Sequence, residues 1–181
     1  MARAIEWLLP ALVLSAPLQS FAIEYLTLEQ AQKALFPAAS EFKARPALLS
    51  EAQRSAIAKL SNTRVRSAEL KLWEARNAQG LLGYMLVDEV YGKHEFITYA
   101  VGLLTDGSLS RIEVMDYRET YGGQIRQPEW RAQFVGKKSG DALKIDDDIK
   151  NISGATLSCV HVTEGVRRLL ATYEVAIKLA P

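Results

Sequence analysis

Cysteine and histidine are scarce in this chain of 181 residues: there is one cysteine, Cys159, and there are two histidines, His94 and His161. A single thiol forms no disulfide within the chain, so the fold has to stand on its apolar core. The same scarcity leaves too few ligands for an ordinary Cys/His zinc site. It also excludes haem attachment through C-x-x-C-H and any cluster held by four thiolates. Neither charge sign dominates, with 22 Lys and Arg against 21 Asp and Glu and a formal net charge of +1. That balance lacks the basic footprint of a nucleic-acid-binding protein. A G-x-S-x-G elbow is missing too, which argues against a hydrolase built on Ser153 or Ser158. If this protein moves electrons, an organic group has to carry them.

What is present begins with a targeting signature. Arg3 precedes a short apolar run at 7–16, and Ser20-Phe21-Ala22 places small residues at the −3 and −1 positions of a cleavage site. The run is short for a membrane span, and Glu6, Pro10 and Pro17 flank or interrupt it. Residues 1–22 therefore read as a signal peptide, with export to a bacterial periplasm. The alternative is an uncleaved anchor holding the protein at the membrane.

Beyond it, Thr27-Leu28-Glu29-Gln30 and Ser50-Glu51-Ala52-Gln53 both have capping-box spacing. They open two predicted helices, to about Phe36 and about Leu60, with a loop around Pro46 between them. Residues 23–65 thus form an N-terminal helical segment before a domain at 66–181. The period then changes to two: Ala68, Leu70 and Leu72 alternate with polar neighbours, and "LLGYMLVDEV" follows after Gly80. Two β-rich runs, 95–104 and 109–117, flank Asp106-Gly107, a strong hairpin signal. The stretch 118–150 is irregular, apart from a brief helix at "PEWRAQF". A final amphipathic helix carries Val160, Val166, Leu169, Leu170 and Tyr173 on one face. The expected fold class is α+β, an antiparallel meander of about four strands with helices packed on it.

The residues before that last helix, "SGATLS" at 153–158, admit two readings. Ser, Thr and Gly satisfy the orphan amides of a helix start, and a cap alone would account for most of them. The same amides, with the positive end of the helix dipole, also suit a phosphate, and Gly154 and Ala155 leave room for a large ligand. The spacing is not that of a phosphate-binding P-loop.

The string Ser153-Gly154-Ala155-Thr156 resembles the flavinylation motif of the FMN-binding domain family. That family includes the periplasmic flavin-bearing components of the sodium-translocating NADH:quinone reductase and of the Rnf complex, together with small stand-alone exported flavoproteins. The similarity extends to "GKHEFITYAVGLLTDGSLSRIEVMDYRET" and to "WRAQFVGK", so it covers about 81–170 in the family's order. Where the family usually has an aspartate, six residues before the acceptor threonine, this chain has Lys150; Asp146, Asp147 and Asp148 stand just upstream.

The resemblance implies FMN joined through its phosphate to Thr156, with Ser153, Gly154 and Ala155 read by a separate flavin transferase that uses FAD as donor. Leu157 and Ser158 complete the implied cofactor-binding stretch. Glu119, Thr120, Tyr121, Gly122 and Gly123 would fold over the ring, Trp130 and Tyr121 would stack on it, and Lys137 and Lys138 would neutralise the phosphate. Each has a plainer alternative as a turn, a packed aromatic or a surface charge. The implied role is an exported electron carrier, serving a haem-bearing or quinone-linked membrane electron-transfer protein. The alternative is a periplasmic binding module of the same fold without covalent flavin.

Overall fold

The computed structural model describes residues 23–24 and 26–178; the signal segment expected at 1–22 lies outside the described residues. In chain order the elements are β1 (Ile23–Glu24), α1 (Leu28–Leu35), β2 (Glu41–Ala44), β3 (Ala47–Leu48) and α2 (Glu51–Ser61). There follow β4 (Glu69–Asn77), β5 (Gly80–Tyr91), β6 (Phe96–Leu104), β7 (Leu109–Tyr117), α3 (Pro128–Ala132) and α4 (Thr156–Thr172). A short 3₁₀ turn, Gly123–Arg126, precedes α3, and a π-helical turn, Tyr173–Ile177, extends α4. The sheet is antiparallel, in the order β1-β7-β6-β5-β4-β2, with β3 paired to β4 beside it. The α+β class and the central meander are as the sequence implies.

Both early helices start where their capping boxes stand. Thr27 Oγ1 accepts from the Gln30 amide and Gln30 reciprocates; Ser50 and Gln53 repeat the pattern. The loop expected between them instead contains β2 and β3. Arg45, between those strands, reaches the buried Glu74 of β4 at 2.5 Å, and Arg76 holds the same carboxylate at 2.7 Å. The segment 23–65 therefore contributes edge strands to the sheet as well as helices.

Period-two alternation sends side chains to two separate cores. Leu72, Leu86, Val90, Tyr99, Val101, Leu103 and Ile112 face α4 and α2, while Ala75, Met85 and Ala100 face α1. Helix α4 comes very close to the sheet at Gly165, where a Cβ would run into the Tyr99 hydroxyl and Val90. Tyr99 donates to Asp88 Oδ2 at 2.8 Å, and Arg168 of α4 pairs with the same carboxylate. Burial first, and the neighbouring carboxylate second, push the Tyr99 phenol well above its ordinary pKa. On the other side of α4, Arg167 Nε donates to the Ser61 carbonyl at 2.6 Å, tying α2 to it.

One irregularity bears directly on the site. Thr98 faces Asp116 and Tyr99 faces Val114, so Met115 is an extra residue in β7. This β-bulge places Met115 in the α1 core, while Val114 and Tyr117 both enter the α4 core. The bulge thus turns Tyr117 towards the start of α4.

Candidate functional site

Three pieces of chain meet at one end of the sheet: the β5–β6 turn at 92–95, the loop at 118–123 after β7, and the segment at 151–158 that enters α4. They enclose a cavity of about 480 Å³, lined by Lys93 and His94, by residues 119–121 and by residues 154–158. A neighbouring cavity of about 620 Å³ shares Thr120, Tyr121 and Gly154 with it and continues along Gly122, Gly123, Gln124, Arg126, Gln127 and Pro128. Both lie within the range of small-molecule and cofactor sites.

The loop is held from two sides. Glu119 Oε1 accepts the backbone amides of Lys93, His94 (2.6 Å) and Glu95 (3.1 Å). Burial alone would raise the pKa of this carboxyl, but the three amides outweigh it and hold the group below the usual glutamate range. Gly92 leaves the space for this clamp, since a Cβ there would lie 2.5 Å from Glu119 Oε1. On the helix side, the Tyr117 hydroxyl donates to the Tyr121 carbonyl and lies 3.1 Å from Ser158 Oγ. With the phenolic hydrogen committed to Tyr121, Ser158 is the donor of the second bond. Gly122, with φ of +93°, sits beneath this bridge, where a Cβ would be 2.5 Å from the Tyr117 hydroxyl and 3.2 Å from Ala155 Cβ. Only glycine combines that backbone conformation with that contact.

The third piece is a tight turn followed by a helix. The Ala155 amide donates to the Ile152 carbonyl at 2.9 Å, with Gly154 at φ of +83° in the position that needs a left-handed residue. Helix α4 then begins with Ala155 as N-cap, and no side chain caps its first turn. The cap reading of the hydroxyls at 153–158 is therefore not what the structure shows. Ser153 is exposed in the turn, Ser158 is buried on Tyr117, and Thr156 stands exposed at the first helical position. Its Oγ1 accepts from Asn151 Nδ2 at 3.2 Å.

Most of the sequence-predicted residues converge. Thr156, Gly154, Ala155, Leu157, Ser158, Glu119, Thr120 and Tyr121 line one cavity, and Gly122 adjoins it. Tyr121 is 82% exposed and Leu157 45%, so both offer apolar surface at the mouth. Ser153, Trp130, Lys137 and Lys138 line neither cavity, and of these Ser153 stands exposed in the adjoining turn. Trp130 is buried in the α4 core, edge-on to Phe134 at 5.0 Å, with its indole N–H given to the Lys150 carbonyl at 2.9 Å; it has no free face for stacking. Lys137 pairs with Asp148 at 2.9 Å and does not line the cavity. Cys159 is buried, and burial raises the pKa of its thiol. Tyr117, Gly92 and Asn151 give no sign of their roles in the sequence, because those roles depend on a bulge, a remote carboxylate and a turn.

The donor set fits FMN: uncapped first-turn amides suit its phosphate, and an accessible hydroxyl stands among them. Comparison with a protein family agrees. Residues 92–171 match the model of the family described as FMN-binding domain. That stretch starts at Gly92 and contains all three pieces of the site, so the chain carries an FMN-binding domain there. Among solved structures, the chain is similar to the crystal structure of Shewanella oneidensis NqrC. The identity is 18%, with 81% of this chain and 82% of that one covered and a TM-score of 0.49. A search of curated proteins gives no match.

Proposed function

We propose that this protein is an exported electron-transfer flavoprotein whose FMN is joined through its phosphate to Thr156 Oγ1. The observation that carries the reading is the position of Thr156. Its hydroxyl is exposed at the first position of a helix whose first turn has no side-chain cap, and it opens onto the cavity shared with loop 119–121. FMN, when bound, supplies one- and two-electron redox chemistry, and the protein supplies binding, orientation and electrostatics. The amides and dipole of α4 stabilise the phosphate charge. The clamped loop presents Thr120 and Tyr121 across the cavity, and Tyr121 and Leu157 shield apolar ligand surface from water.

The sequence at 1–22 supports export, and covalent attachment suits a compartment where a dissociated cofactor would be lost. Maturation then requires a flavin transferase. The electron partner in this reading is a membrane protein carrying haem or reacting with quinone.

Co-expression with a flavin transferase, followed by intact mass measurement, tests the assignment. The expected result is a gain of FMN less one water, absent in Thr156→Ala. An unmodified but yellow protein would replace covalent attachment with tight binding. A colourless one would leave a binding module of the same fold.

A further inference from the structure

We infer that Asn151 is a positioning residue that presents the Thr156 hydroxyl for covalent modification; this rests on the reading of Thr156 given above. The orientation of the Asn151 amide is fixed by its surroundings. Its Oδ1 accepts from the Ile152 backbone N–H at 2.9 Å, which leaves Nδ2 as the group 3.2 Å from Thr156 Oγ1. Asn151 and Thr156 bracket the turn that the Ala155–Ile152 hydrogen bond closes, so the two side chains meet across it.

The other threonines of α4 show what this contact changes. Thr163 donates its hydroxyl to the Cys159 carbonyl at 2.7 Å, and Thr172 donates to the Arg168 carbonyl at 2.9 Å. That i−4 bond is the ordinary habit of a helical threonine, and it occupies the hydroxyl hydrogen. Thr156 accepts instead. Asn151 holds the oxygen in place from one side, and the bond between them does not use the hydroxyl hydrogen.

The modification consumes that hydrogen. In transfer from FAD, the Thr156 Oγ–H bond breaks and an Oγ–P bond forms to the FMN phosphorus. The pyrophosphate P–O bond breaks in turn, and AMP leaves while the proton passes to base or solvent. No oxidation is involved. An oxygen held by a donor, with its own proton available, is arranged for this transfer; one bonded to a carbonyl is not.

The test uses the full chain, purified flavin transferase and FAD, with mass gain followed over time at several chain concentrations. Asn151→Asp keeps the acceptor for the Ile152 amide and exchanges the donor to Thr156 for a charged carboxylate oxygen, while Asn151→Ala removes the donor without adding charge. The expected effect of Asn151→Asp is a kcat about tenfold lower, the fold-change of roughly one hydrogen bond, with KM for the chain unchanged. Asn151→Ala should behave alike. Wild-type kcat in Asn151→Asp, or a change confined to KM, would overturn the inference, the first pointing to turn support and the second to transferase recognition. A wild-type chain that gains no mass would instead remove the reading beneath it, and this inference with it. Independently of the transferase, the Asn151 side-chain amide resonances should shift in Thr156→Val; unchanged resonances would also overturn the assignment.

Discussion

The phenolic oxygen of Tyr117 lies 3.1 Å from Ser158 Oγ, 41 residues further along the chain, and this contact fastens the last strand of the meander to the first turn of α4. The same phenol holds the Tyr121 carbonyl, so one oxygen sets the distance between loop and helix across the cavity. Tyr117→Phe removes both bonds and leaves the Ser158 hydroxyl and the Tyr121 carbonyl without this partner. The expected loss is about 1–2 kcal/mol by denaturant titration. Amide hydrogen exchange at 119–123 should rise more than elsewhere, which separates loosening of the loop from general destabilisation.

Glycines at two positions with positive φ should respond differently to alanine. At Gly122 the new Cβ meets the Tyr117 hydroxyl and Ala155, whereas at Gly154 nothing lies within 4 Å. Gly154→Ala carries the conformational strain alone, about 1 kcal/mol. Gly122→Ala adds a collision and should cost about 2–4 kcal/mol. Thermal unfolding of the two variants side by side checks the ordering.

A pH dependence follows from Glu119. Its carboxyl titrates below the usual glutamate range in the folded protein, because three backbone amides outweigh the opposing effect of burial. A depressed folded pKa contributes stability above the unfolded value of about 4.3, and that contribution fades as pH falls through the folded value. Glu119→Gln should lose about 1–2 kcal/mol at neutral pH. Its denaturation midpoint should also fall less steeply than that of the wild type between about pH 5 and 3. Equal acid slopes in the two proteins would dismiss the clamp as an electrostatic element.

Gly165 offers a test of how α4 is seated. An alanine there forces its methyl onto the Tyr99 hydroxyl, and α4 has to move or Tyr99 has to leave Asp88. Gly165→Ala should cost about 1–3 kcal/mol, as overpacking does. Tyr99→Phe in the same background should return part of that loss, although each change alone destabilises. A double-mutant cycle measures the coupling.

Much of this architecture was legible because short-range rules decided it. The two capping boxes name their helix starts, and Asp106-Gly107 closes its hairpin with Gly107 at φ of +81°. Strands β2 and β3 left no such trace. Glu41–Ala44 and Ala47–Leu48 are too short to show a period, and exist through pairing with β4, including the Arg45–Glu74 contact. At the site, the small-residue string at 153–156 marked the turn and the helix start. Of the two aromatics expected to stack, Tyr121 lines the cavity while Trp130 belongs to a packed pair with Phe134, and sequence alone does not distinguish a buried indole from a lid. Asn151 gave no signal, since its role needs the turn that brings it onto Thr156.

The extra residue in β7 has a consequence for how the site tolerates change. Met115 matters there as a count before it matters as a side chain. Replacing it with Leu keeps the strand's length, so Tyr117 still faces α4 and the loop stays fastened; only the α1 side has to repack. Closing the bulge with Met115 still in the strand would shift the end of β7 by one step and send Asp116, in place of Tyr117, to the helix. A carboxylate would then enter the space beside Ser158 and the uncapped amides of α4. Deleting Met115 along with the bulge instead restores regular pairing and leaves Tyr117 facing α4. At this position the residue count and the bulge have to change together, while the letter itself is free to drift.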